Sequence, residues 1–294
     1  MMNTFRLRKS RKKKFRESLY TDISLGLTCE AIVPEFRTPF GQKLALYRHD
    51  KLGHILVLDG NIQWMEKDEA IYHETMAHWP MHSVAEPQRV LIVGGGDLGV
   101  ARELVKYPML EEIDVVDIDP CVREVTLMYV PHIAGHAATD PRVNKYDVDA
   151  ARFIKEAVSS HYDIVVLDTT DEVNVATPLF GEKFQSEVYR VLTKGGVMVR
   201  VAGSVFLQED EVKKTLELVR SIFSRISTGM LTLPTMMYLG CFFGIVVAVK
   251  EGIWSSIPTR RISVSGLLPL SWYDARWHAF VAERPPYIQK TFFS

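Results

Sequence analysis

The chain has 294 residues, 47% hydrophobic and 24% charged, an ordinary balance for a soluble globular protein with one or two packed domains. The apolar run Leu239 to Val249 is eleven residues, well short of the ~20 a membrane helix needs, so it reads as a buried strand. A net charge of −1 hides an asymmetry: residues 1–16 hold eight basic and no acidic residues, and the remainder holds 27 basic against 36 acidic, a body of −9.

An acidic body suits a cationic substrate, whose local concentration its field raises. Residues 1–16 read as a solvated, disordered arm; electrostatic contact with nucleic acid, membrane or another subunit is the alternative, and neither nucleic acid nor membrane is an expected partner. Cys29, Cys121 and Cys241 stand far apart and form no CxxC pair. A reducing compartment follows, with the cytoplasm as the expected location. The basic start leads into no apolar segment, so no secretory signal is expected.

Residues 17–65 carry short strand-like runs, among them Leu44–Tyr47 and His54–Leu58, with Asp59-Gly60 as a hairpin signal. They predict a small antiparallel β domain, and residues 66–82 a helix linking it (domain 17–82) to a second domain, 83–294. From Arg89 onward buried apolar strands alternate with helices: Val90–Val93, Ile113–Ile118, Tyr162–Asp168 and Gly196–Val201. That pattern predicts an α/β, Rossmann-like, doubly wound parallel sheet covered on both faces.

Gly94-Gly95-Gly96-Asp97-Leu98-Gly99 satisfies GxGxxG between a strand and a helix, and Asp117 follows 18 residues after Gly99. By pattern alone this is a dinucleotide site with Asp117 on ribose hydroxyls, or a structural turn. Asp97 separates the ligand classes. A carboxylate at the helix start repels a pyrophosphate and attracts an ammonium or sulfonium, favouring a cationic nucleoside over NAD. Asp149-Ala150 could accept from an adenine amino group, or Asp149 could cap the next helix.

Asp168-Thr169-Thr170-Asp171 ends a strand, where open α/β sheets bind ligands; capping of a following helix is the structural alternative. A protonated amine cannot attack carbon, so a carboxylate within reach would take its proton and a second would hold it in line. His73, Glu74 and His78 miss the zinc-helix spacing by one residue, and no metal is expected.

Ordered blocks then give the chain a family resemblance. Gly53–Gln63, Glu66–Glu74, Gly94–Asp97, Asp117–Asp119, Asp149-Ala150, Asp168–Asp171 and Trp272–His278 follow one another as in the spermidine synthase family of polyamine aminopropyltransferases, which the chain resembles from about Phe15 to about Val281. The resemblance implies a small β domain followed by a methyltransferase-type Rossmann-like domain, assembled as a homodimer or homotetramer. It implies decarboxylated S-adenosylmethionine as co-substrate, no permanently bound cofactor, and an amine acceptor. Gln63, Gly94, Gly95, Gly96, Asp97, Asp117, Asp149, Ala150 and Asp168 fall at its nucleoside and aminopropyl contacts. Asp168 falls at its base, and Tyr72, His73, Asp171 and Tyr238 at its acceptor pocket.

The departures cluster on the acceptor side. Leu98 stands where the family has a second glycine, Glu172 where it has proline, Asn174-Val175 where it has Gly-Pro, and Val201–Gly203 where a glutamine is common. Putrescine is therefore not assured as acceptor. The rival readings are a paralogue with another acceptor or a silent binding role, and a small-molecule methyltransferase using S-adenosylmethionine.

Overall fold

Short strands joined by tight turns build the first of two units into which the chain divides, residues 1–69 and 70–294. The computed structural model describes residues 12–17, 19–20, 22–169, 179–236, 242–260 and 269–294. In the first unit, β1 (Lys13–Arg16), β2 (Gly26–Arg37), β3 (Lys43–His49), β4 (Gly53–Leu58) and β5 (Asn61–Met65) pair in sequence order as an antiparallel meander. Asp59 and Gly60 take φ of 49° and 84°, the hairpin turn that Asp-Gly predicts. Period-2 alternation on β5 buries Ile62 and Trp64 and leaves Gln63 half-buried on the other face.

Lys13–Arg16 corrects the reading of residues 1–16 as a wholly solvated arm. These residues pair with Gly26–Cys29 as an edge strand. Charge alone hid Phe15, whose ring lies 5.2 Å from that of Tyr47, and the contacts of Lys12 with Asp50 and Arg16 with Ser24.

The second unit opens with α1 (Glu69–Ser83), which starts at the unit boundary, and continues with β6 (Arg89–Gly94), α2 (Gly99–Leu104), β7 (Glu112–Asp117), α3 (Pro120–Tyr129), α4 (Pro131–Ala134) and β8 (Val143–Asp147). Then come α5 (Ala150–Glu156), β9 (Tyr162–Asp168), α6 (Glu182–Val191), β10 (Leu192–Ser204), α7 (Glu209–Phe223), β11 (Thr228–Pro234), β12 (Phe242–Val249), α8 (Ala275–Ala282) and α9 (Pro286–Phe292). The sheet order is β11-β12-β10-β9-β6-β7-β8. One face buries Leu91, Val93, Val165, Leu167 and Met198 under Ile154, Val188, Leu216 and Val219 of the helices α5, α6 and α7.

The sheet is mixed: β10, β9, β6, β7 and β8 are parallel, while β12 runs antiparallel to both β10 and β11. Only residues 235–241 separate β11 from β12, too few for the crossover of a dozen or more that a parallel return needs. From β6 the chain builds outward through β7 and β8, then returns to place β9 on the other side of β6. The order reverses between β6 and β9, and such a reversal opens a crevice beyond the carboxyl ends of the two strands. Among the described residues no helix is long and apolar enough to cross a membrane.

Truncation through Arg16 is expected to lower the melting midpoint by a few degrees and to promote aggregation on heating, because it bares the edge of β2. Truncation through Arg11 leaves the pairing of β1 with β2 in place and is the control. Equal midpoints for the two would show that β1 contributes nothing.

Candidate active site

At the strand reversal, β6 and β9 approach so closely that only glycine fits. Gly94 pairs in register with Asp168, and the Gly95 N–H donates to the Asp168 carbonyl at 3.1 Å. A Cβ on Gly94 would stand 2.0 Å from that carbonyl oxygen, and its φ is +80°. The same turn aims Asp97: its Oδ1 accepts from the Gly99 N–H at 2.7 Å, and its Oδ2 lies 3.7 Å from His73 Nε2. Gly99 is needed in turn, since a Cβ there would come within 2.4 Å of the His73 ring.

Leu98, where the resembled family has glycine, keeps the backbone a glycine would give. Its φ is 66° and its side chain is fully buried. A left-handed leucine costs ~1–2 kcal/mol, and burying its side chain contributes ~1.5–3 kcal/mol in the other direction. The departure therefore leaves the path of the turn intact.

Three carboxylates converge here. Asp117, at the end of β7, accepts from Gly96 N–H at 3.0 Å and Asp119 N–H at 2.8 Å. Burial pushes it up to about 6 despite those bonds, with Asp119 and Asp97 adding to the rise. Asp168 accepts from the Tyr72 hydroxyl at 2.5 Å. It too is pushed up to about 6, by burial first and then by Asp97, while His73 and the Tyr72 hydrogen bond hold it down. At pH 7 such a group is mostly ionised yet basic enough to take a proton.

Tyr72 and His73, readable in sequence as packed helix residues, thus reach the carboxylates Asp168 and Asp97 from α1. Asp149 is exposed and caps α5, its Oδ1 accepting from Ala151 and Arg152 N–H at 2.7 and 3.2 Å; the capping alternative is realised, and Ala150 is the buried first residue of the helix. Gln63 belongs to the amino-terminal unit, where its amide donates to the Asn61 carbonyl at 3.2 Å. Asp171, Tyr238, Glu172, Asn174 and Val175 lie outside the described residues.

The metal-like trio separates entirely. His73 faces Asp97, Glu74 accepts from the backbone of residues 271–273, and His78 meets Glu103 and Tyr107 at 2.9 and 2.8 Å. Sequence reading missed what Glu74 does. The available signal was a charged residue standing directly beside two candidate site residues.

The raised Asp168 carries a stability signature. Its folded pKa, about 6, lies above the ordinary value of 3.8, so the folded state binds more protons and stability falls as pH rises through ~4–6. Asp168→Asn is expected to raise the melting midpoint at pH 7.5, by a free energy of up to ~3 kcal/mol, and to change it little at pH 4. A variant melting below wild type at pH 7.5 would refute the strained carboxylate.

The family model described as the spermine/spermidine synthase domain matches residues 69–253. Spermidine synthase 2 of Arabidopsis thaliana is 34% identical over 258 residues, covering 85% of this chain and 75% of that protein. The polyamine aminopropyltransferase of Ruegeria sp. (strain TM1040) is 31% identical over 255 residues, covering 85% and 88%. The crystal structure of spermidine synthase from Thermotoga maritima matches in fold with a TM-score of 0.86 at 24% identity, covering 97% of this chain and 96% of that one. The chain is a transferase that belongs to the spermine/spermidine synthase family.

Proposed function

We propose that the chain moves the aminopropyl group of decarboxylated S-adenosylmethionine to a diamine or polyamine, putrescine or a related amine, and releases 5′-methylthioadenosine. The observation that carries this reading is Asp168: a carboxylate at the strand reversal, held by Tyr72, beside Asp97, and pushed up to about 6.

Asp168 takes a proton from the acceptor ammonium as its nitrogen attacks the carbon next to sulfur. The new C–N bond forms as the C–S bond breaks, and the bonding pair goes to sulfur, which leaves as a neutral thioether. Asp97 offers its carboxylate to the donor's primary ammonium, and Asp117 at the end of β7 to the ribose hydroxyls. Gly94, Gly95 and Gly96 let the nucleoside approach the backbone. Asp149 and Ala150 mark the adenine side, since a carboxylate that caps with one oxygen keeps a second acceptor, and Gln63 is assigned to the same ligand. Tyr72, His73, Asp171 and Tyr238 are assigned to the acceptor amine.

Asp168→Asn is expected to lower turnover by ~10²–10⁴-fold while nucleoside affinity changes little, because the amide cannot take the proton. Mass detection of products from decarboxylated co-substrate and a panel of putrescine, cadaverine, agmatine and spermidine measures this and identifies the acceptor. Near-wild-type turnover in the variant would sink the assignment of the base.

Decarboxylated co-substrate is expected to bind more tightly than S-adenosylmethionine itself. The methyl donor would set a second carboxylate beside Asp97, a repulsion of at most ~4 kcal/mol at ~4 Å and an effective dielectric near 20. Equal affinities by calorimetry would remove the argument against a methyltransferase.

A further inference from the structure

Helix α1 holds a third polar contact beside the two that reach the site. Successive helix residues point ~100° apart, so Tyr72, His73 and Glu74 fan through ~200° and engage three different chain segments. Tyr72 donates to Asp168 at 2.5 Å, and His73 lies 3.7 Å from Asp97. Glu74, 2% exposed, accepts from the backbone N–H of Ser271 at 2.7 Å through Oε1, and of Trp272 and Tyr273 at 2.9 and 2.8 Å through Oε2.

We propose that Glu74 is a positioning residue: by binding the backbone of Ser271–Tyr273 it fixes the rotation of α1 that presents Tyr72 to Asp168 and His73 to Asp97. A buried carboxylate is tolerated only where donors compensate its lost hydration, and the three N–H donors of Ser271, Trp272 and Tyr273 belong to one short segment. That segment leads into α8, whose Trp277 Nε1 donates to Thr75 Oγ1 at 2.9 Å, the next residue along α1. A rotation of α1 that keeps the Tyr72 contact must keep the Glu74 contact as well, because both side chains leave the same helical turn.

The proposal rests on aminopropyl transfer as the activity only for its kinetic arm. Glu74→Gln keeps the shape and puts an amide NH₂ where one oxygen accepted, so a donor faces a donor. The expected result is a kcat roughly tenfold lower with KM for the nucleoside within about twofold, since misplacement of a reacting group is read in kcat. Combined with Tyr72→Phe, the loss should fall well short of the product of the two single losses, because Glu74 acts through Tyr72.

A second readout needs no substrate. Among the described residues, Asp168 is faced by Tyr72 and His73 from α1, which hold its pKa down, and by Asp97 and Asp117, which with burial hold it up. Titration of the Asp168 carboxyl carbon by NMR in the unliganded protein is expected to move upward in Glu74→Gln, in the same direction as in Tyr72→Phe. An unmoved titration, or kinetic losses that multiply independently, overturns the proposal. Should Glu74→Gln not fold, Ser271→Pro removes one of the three donors and leaves Glu74 in place; the same upward movement, smaller, supports the proposal and none overturns it. A wild type without aminopropyl transfer would overturn the activity assignment, while the titration still decides the role of Glu74.

Discussion

The crowding of Asp97, Asp117 and Asp168 at the β6–β9 reversal is the constraint on which the second unit is organised. Each would ionise near 4 in water; together and buried, Asp117 and Asp168 are both pushed up to about 6. Like charges in a low-dielectric crevice oppose folding, and the protein offsets them with hydrogen-bond donors and with His73 beside Asp97. Asp117 accepts from the Gly96 and Asp119 N–H groups, Asp97 from the Gly99 N–H, and Asp168 from the Tyr72 hydroxyl. A site so arranged gathers negative charge, which a cationic ligand relieves and an anionic one worsens.

The local backbone follows from that crowding. The Asp168 carbonyl must come within bonding distance of Gly95 N–H, which excludes any side chain at Gly94. The carboxylate of Asp97 must turn toward Gly99 N–H, which requires Leu98 to adopt a left-handed φ of 66°. The strain at Leu98 is local and its side chain is buried, so the turn tolerates a residue that its geometry does not favour. The polar contacts of α1 complete the frame, and it is the buried length of that helix, more than its propensity, that holds Tyr72 in place.

How much of this was legible depends on the range over which each feature is encoded. The strands β6, β7 and β9 were readable because their apolar runs are short-range patterns ended by Gly94, Asp117 and Asp168. The Asp59-Gly60 hairpin was readable because the turn chemistry is local. The antiparallel β12 was not, since strand direction is set by connection length rather than by the strand's own residues. Nor was the edge strand at Lys13–Arg16, whose charges point to solvent while Phe15 packs on Tyr47. Asp149 shows the limit of motif reading: the same residue type serves as helix cap or ligand acceptor, and the spacing is identical for both. The partners of Glu74 were unreadable for a different reason, because they are backbone N–H groups almost two hundred residues away, which leave no mark in side-chain pattern.

The value to which Asp168 is pushed has a chemical consequence for the proposed transfer. An acceptor ammonium has a pKa near 10.4, so passing its proton to an ordinary aspartate near 3.9 is uphill by ~9 kcal/mol, whereas a carboxylate at about 6 reduces the gap to ~6 kcal/mol. The carboxylates that attract the ammonium also stabilise its charged form, which works against deprotonation. The opposing influence is the sulfonium of the bound donor, whose positive charge beside the amine favours the neutral nucleophile and disappears only as the C–S bond breaks. Proton loss and carbon–nitrogen bond formation are therefore best matched when both proceed in one crevice with the two cations held at fixed separation. That requirement fits carboxylates that are desolvated and held by fixed hydrogen-bond donors, since a mobile or fully solvated aspartate would supply neither the raised basicity nor the fixed distance.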